Sequence, residues 1–253
     1  MEELKLGDII FLTESKSFGA KITKIWQDIR YKNKDSFNPT HVAIAMGDQS
    51  VIIHSLIKGG VQLGTTTFYA KKREYLDSGI MVFRCKEIAG TRNISKLMEL
   101  EKFLLFCLGF KYNLKVPFER KSKKKLYCSE LAATMISRFT QLPISAPEQY
   151  LPKALLLFCK NNNFELIDVN LGYFNKPKAI TEKYNELFKV TEDKNLLAVY
   201  KQAYENELKL SEVLENYEKT IINYYKFKKE TAEVRQLTLD TMDILQSQLK
   251  KGK

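Results

Sequence analysis

Thr40-His41-Val42-Ala43-Ile44-Ala45-Met46-Gly47-Asp48, followed closely by Val51-Ile52-Ile53-His54, is the stretch from which the fold is read. Two short apolar, β-branched runs flank a Gly-Asp turn, the pattern of an antiparallel hairpin. The chain has 2 histidines, and they take corresponding places: His41 starts one strand and His54 ends the other. In an antiparallel pair those ends lie side by side, so the rings come within hydrogen-bond reach when both side chains share a face. A single histidine on a strand is more often structural than catalytic. The pair gains meaning only beside a nucleophile.

Working outward, Gly7-Asp8 turns into Ile9-Ile10-Phe11-Leu12, a buried strand, and a helix is expected around Phe18 to Ile29. Gly59-Gly60-Val61-Gln62-Leu63 and Ile80-Met81-Val82-Phe83-Arg84 read as further strands, separated by a helical or loop segment near Thr65 to Arg73. A helix from about Ile94 to Leu108 ends at Gly109, where a glycine C-cap belongs. Leu131, Met135, Ile136 and Phe139 recur at helical spacing after Cys128, which places Cys128 in the first turn of that helix. Ser145 and Pro147 look like the cap and first turn of another helix running to Cys159, and Phe164 to Val169 reads as a closing strand. The expected fold is α+β: an antiparallel meander sheet flanked by helices over residues 1–175.

Beyond Pro177 neither Gly nor Pro occurs until Gly252. Leu210, Leu214, Tyr217, Ile221 and Tyr224 follow at alternating spacings of four and three, so 176–253 reads as a helical, partly coiled-coil-like extension. The repeat falters at Lys228 and Thr231, which favours a helical hairpin packed on its own domain over an intermolecular coiled coil; a clamp for a protein partner is the alternative.

Tyr127-Cys128-Ser129-Glu130-Leu131 supplies the nucleophile. A thiol at a helix N-terminus faces unpaired N–H groups and the positive end of the macrodipole, both of which favour thiolate. Arg120 to Lys125 lie just upstream and add positive potential. The expectation is a thiol pKa below its ordinary value of about 8.5. Cys85, Cys107 and Cys159 sit in apolar runs away from helix starts and read as core residues. The four cysteines show no Cys-x-x-Cys spacing, so no structural zinc site and no disulfide framework are expected. No metal or organic cofactor is expected.

The formal charge is +11. Residues 178–253 carry 14 basic and 13 acidic residues, so about +10 belongs to residues 1–177. Basic clusters stand at Lys21 to Lys34, Lys71 to Arg73 and Arg120 to Lys125. They suit an anionic substrate or membrane surface, but carry no interleaved aromatic signature of nucleic-acid recognition. With an acidic N-terminus and no apolar run near the roughly 20 residues of a spanning helix, a cytoplasmic location is expected.

Gly7-Asp8-Ile9-Ile10-Phe11, Thr40-His41-Val42-Ala43-Ile44, Val51-Ile52-Ile53-His54 with Gly60-Val61 behind it, and Tyr127-Cys128-Ser129-Glu130-Leu131 occur with histidine before cysteine. In these motifs and that order, residues 5–165 resemble the circularly permuted NlpC-like papain-fold proteins. That family includes the YiiX/YaeF-type bacterial amidases and the lecithin:retinol acyltransferase group. The resemblance implies a permuted papain-like fold and cleavage or transfer at an amide or ester carbonyl through a thioester. Cys128 would attack, His41 would carry the proton and His54 would orient the His41 ring. Histidine at the third position resembles the acyltransferase branch; YiiX-type proteins often have glutamate there. Tyr112-Asn113 stands where Tyr-Asp is common. Cell-wall peptides and lipid acyl chains are both within the family's range, and the fold does not choose between them. The competing reading is an inactive papain-like module that holds an anionic or protein partner with its basic face and tail.

Overall fold

The computed structural model describes residues 3–13, 18–31, 37–47, 51–66, 79–89, 93–113 and 126–169, with scattered positions from 188 to 226. Among the described residues six antiparallel strands form one sheet: β1 (Ile9–Leu12), β2 (His41–Ala45), β3 (Val51–Leu56), β4 (Gly60–Thr65), β5 (Ile80–Arg84) and β6 (Glu165–Ile167). Their spatial order is β4-β3-β2-β1-β5-β6. The first four strands make the expected meander. β5 departs from it, returning to pair with β1 through Ile9↔Phe83 and Leu12↔Ile80, and β6 adds outside β5. The free side of β4 is already engaged: the Val61 N–H donates to the Phe110 carbonyl at 2.8 Å and the Gly109 N–H to the Val61 carbonyl at 2.7 Å.

Alternation along the strands gives the sheet two apolar faces. Ile9, Phe11, Val42, Ile44, Ile53, Val61, Leu63 and Phe83 pack in one cluster with residues of three helices: α3 (Ile94–Phe106), α4 (Cys128–Phe139) and α5 (Pro152–Asn161). Ile10, Leu12, Ala43, Ala45, Ile52, Val82 and Ile167 form the other cluster with Leu4. Two further helices are α1 (Phe18–Arg30) and the short α2 (Lys86–Ala89). The Asn93 side chain caps α3 by accepting the Lys96 N–H at 3.2 Å, and the turn beyond its end places Gly109 at φ +71°. The expected helix from Ser145 to Cys159 is divided: a 3-10 turn occupies Pro147–Gln149, and α5 starts afresh at Pro152. Proline holds its predecessor away from helical angles, and Leu151 is extended at φ −72°, ψ 159°.

A buried ion pair joins the start of β1 to the end of β5. Arg84 Nε donates to Asp8 Oδ1 at 2.9 Å and an Arg84 terminal nitrogen to Oδ2 at 2.8 Å, while the Lys5 N–H donates to Oδ2 at 2.8 Å. Burial pushes the Asp8 carboxyl pKa up; Arg84 pulls it back.

The chain divides into compact units Met1–Tyr200 and Lys201–Lys253. Every described residue from 201 to 226 is helical, with Leu210 and Ile221 exposed. Leu214, Tyr217, Tyr224, Lys228 and Thr231 lie outside the described residues, as do Lys32, Lys34, Lys71 to Arg73 and Arg120 to Lys125. Among the described residues no helix is long and apolar enough to cross a membrane.

Gly60 sits at φ +71°, and a Cβ there would fall on the Phe110 carbonyl oxygen. Gly60→Ala is therefore expected to destabilise the fold by about 2–4 kcal/mol, from left-handed strain plus overlap with backbone. Urea unfolding measures this, and an unchanged midpoint would contradict the close packing of β4 on residues 109–110.

Candidate active site

Cys128 is the first residue of α4 and is 2% exposed. The helix head is built from the chain just before it. Leu126 donates its N–H to the Lys111 carbonyl at 2.9 Å, and its carbonyl accepts the Ser55 hydroxyl at 2.6 Å. The Glu130 carboxylate accepts the Tyr127 N–H at 2.9 Å and also bonds the Asn113 side chain. Ser129 donates its hydroxyl to the Tyr150 carbonyl. The head is thus tied to β3, to the 111–113 segment and to the approach of α5.

The thiol does not behave as the sequence led us to expect. Burial pushes the Cys128 pKa up to about 12. The N–H groups of Val42, Ser129 and Cys128 itself, with the Tyr127 side chain, pull it downward, as a helix head should. Loss of water outweighs them, because removing a charge from solvent costs more than a few hydrogen bonds return. The resting group is a neutral thiol.

His41 opens β2, and the segment leading to it is fastened by Gln27 of α1. The Gln27 amide donates to the Pro39 carbonyl at 2.9 Å and to Asn38 Oδ1 at 3.1 Å, and its oxygen accepts the Lys153 N–H at 2.7 Å. His54 lies within β3, which runs on to Leu56. The register pairs Ala43 with His54, so the histidines are diagonal neighbours on one face of the sheet and not directly opposed. They nonetheless meet: His41 Nε2 is 3.4 Å from His54 Nδ1, with ring centroids 5.5 Å apart at 71°. Burial lowers the His54 pKa to about 4, so that ring is neutral at neutral pH. Its Nε2 edge lies over Gly64, where a Cβ would approach to 3.2 Å.

The described geometry brings the histidines into contact with each other and turns the thiol to the backbone of Val42, the residue after His41. Pairing of β2 with β3 begins at Ala43↔His54, one residue further along. Cys128 therefore meets the sheet where these strands cease to be laddered.

Two phenols belong to the cluster and were not singled out from the sequence as site residues. Tyr127 lies 2.7 Å from the Thr23 hydroxyl of α1 and bonds to the thiol and to Tyr112. The Tyr112 and Tyr127 rings pack edge to face at 5.2 Å. Burial, followed by the nearby Cys128, drives both phenol pKa values far up, so both hydroxyls remain donors. The signals available in the sequence were the tyrosine adjoining Cys128 and the Tyr112-Asn113 pair.

Two clefts lie away from this cluster. A polar one of about 580 Å³, lined by Glu87, Lys96 and Arg138 among others, reaches the far end of α4; an apolar one of about 420 Å³ lies along β5 and β6. Among the described residues no group of three or more His, Cys, Asp or Glu has the arrangement to hold a metal ion.

A scan against protein-family models and a search of curated proteins each found no match. Among solved structures the chain is similar to the crystal structure of metalloprotein yiiX from Escherichia coli O157:H7. Identity is 16%, coverage is 70% of this chain and 94% of that one, and the TM-score is 0.40. A likeness that loose assigns neither activity nor residue role, and the reading below stands on this chain's own residues.

The buried neutral His54 has a consequence for stability. Its imidazole takes up a proton near pH 6.5 when unfolded and near pH 4 when folded. Between those values the unfolded chain binds more protons, so stability falls as pH drops from about 6.5 to 4, by up to about 3 kcal/mol. His54→Gln is expected to remove that part of the slope in urea titrations at stepped pH. An unaltered slope would contradict a neutral His54.

Proposed function

We propose that this chain is a cysteine-dependent hydrolase or acyltransferase acting on an amide or ester carbonyl. The reading rests above all on one observation: the chain's two histidines touch each other, and the thiol at a helix head meets the backbone of Val42, the residue after His41. A permuted papain-like domain over residues 1–175, with 176–253 as a helical extension that holds a protein partner, is part of the same proposal.

In this mechanism neutral His54 accepts at Nδ1, so that His41 carries its proton on Nε2 and offers Nδ1 as the basic atom. His41 Nδ1 then takes the Cys128 proton as Sγ attacks the carbonyl carbon. A thiol at about 12 is not ionised beforehand, so transfer and attack occur together. The tetrahedral oxyanion would be met by helix-head N–H groups and the Tyr127 and Tyr112 hydroxyls. Collapse breaks the bond to the amine or alcohol, which leaves with the proton from His41, and Sγ keeps the acyl group as a thioester. Water or another nucleophile then attacks the thioester, giving up its proton to His41 and restoring the thiol.

The near-complete burial of Cys128 favours a second reading, an inactive papain-like module that binds an anionic or protein partner. The two separate on one experiment. Incubation with p-nitrophenyl acetate should give a burst of p-nitrophenol and an acetyl adduct located by mass spectrometry on Cys128. Cys128→Ala should abolish the burst, and His41→Ala should slow it by about 10²–10⁴-fold. A burst that survives Cys128→Ala, or an adduct on another residue, would falsify the thiol mechanism.

Tyr127→Phe removes a hydroxyl donor while keeping the ring. Its effect should fall on the rate of acylation, by about 10-fold or more, with the substrate concentration for half-saturation little changed. Single-turnover kinetics separate these quantities, and a change confined to half-saturation would assign Tyr127 to binding alone.

A further inference from the structure

Among its described side chains, helix α1 buries polar groups and exposes two isoleucines. A helix at a protein surface ordinarily buries its apolar stripe and gives its polar face to water. Among the described side chains of α1 the buried ones are Ala20, Thr23 and Gln27, two of them polar, while Ile25 is 58% and Ile29 68% exposed. The polar pair is used inside: Thr23 bonds Tyr127 beside the thiol, and Gln27 fastens Pro39 and Lys153. Ile25 and Ile29, one turn apart, are left facing outward. In the sequence the same stagger of threes and fours carries apolar residues at 18, 22, 25, 26 and 29.

The charge beside this stripe identifies what covers it. Lys21 and Lys24 are exposed on the same helix. Residues 21–34 contain Lys21, Lys24, Arg30, Lys32 and Lys34 against a single acid, Asp28. A second copy of the chain would bring like charges together. An anionic bilayer answers both features, accepting isoleucines below the headgroups and lysines among them. At 13 residues α1 is about 20 Å long, suited to lying in an interface and too short to cross one.

We infer that α1 docks the protein on an anionic lipid surface, with Ile25 and Ile29 inserted and Lys21 and Lys24 at the headgroups. Resting on the thiol reading for this second step, the substrate is an ester or amide held in that surface. Thr23 and Gln27 lie on the opposite side of the same helix, so docking presents the lipid beside the elements that carry Tyr127 and His41.

The full chain is mixed with vesicles of phosphatidylcholine alone, or of phosphatidylcholine with phosphatidylserine, and bound protein is separated by flotation. Wild type should float with the anionic vesicles only, with binding that weakens as salt rises. Ile25→Ser with Ile29→Ser, and separately Lys21→Glu with Lys24→Glu, should each weaken binding by at least about tenfold. All four residues are exposed, and unchanged urea midpoints verify that the variants fold. The isoleucine variant should also cleave a vesicle-held ester more slowly while hydrolysing p-nitrophenyl acetate at the wild-type rate.

Absence of flotation by the wild type, or equal flotation by the isoleucine variant, overturns the inference. So does a wild-type dimer that this variant converts to monomer, which would give the face to a second copy. Cys128→Ser should float like wild type. Flotation without cleavage leaves docking standing and removes the thiol reading, whereas cleavage of the soluble ester without flotation does the reverse.

Discussion

Leu126 is held through its backbone from two sides, by the Lys111 carbonyl and the Ser55 hydroxyl. Lys111 follows Phe110, whose carbonyl accepts the Val61 N–H of β4. A chain of main-chain bonds thus runs from the outer strand of the meander, through residues 109–111, to the residue two before the thiol. Buried backbone groups must find partners. Where they find them here decides where α4 begins, and the places of Tyr112, Tyr127 and Cys128 follow from that.

The cluster so assembled carries no resting charge on its thiol, its phenols or His54. Burial holds Cys128, Tyr112 and Tyr127 in their protonated forms and His54 in its neutral form. In the proposed thiol mechanism charge would appear only when a proton moves, among the N–H and O–H groups around Cys128. Such groups need no reorganisation, which is where a water-poor site gains over solution. A resting ion pair of the kind a helix head suggests would have to meet the cost of desolvation at all times.

Much of the strand and helix plan was legible, because apolar runs, glycine stops and the helical spacing after Cys128 are local signals. The return of β5 to β1 was not, since the partner of a strand is decided by which edges remain open. Nor was the diagonal placement of His41 and His54, which depends on Ala43 meeting His54 rather than on either run's composition. The helix-head argument identified correctly which groups favour thiolate, yet the balance went the other way because burial of Cys128 is a property of packing. Thr23 and Tyr127 are 104 residues apart, and spacing along a chain cannot reveal such a bond. The apolar repeat of α1 foretold a helix without telling which side would be wet.

The edges of the sheet bear on how the protein behaves when crowded. At the β4 end, Val61 already spends both its N–H and its carbonyl on residues 109–110. At the other end β6 is three residues long, and the Val169 N–H turns back to the Ile167 carbonyl. Among the described residues, part of the backbone at each edge is thus already spent, which leaves less of it for a like strand to pair with. Where those groups are spent, two chains meeting in concentrated solution gain less from strand addition, a restraint that matters for a sheet rich in isoleucine and valine.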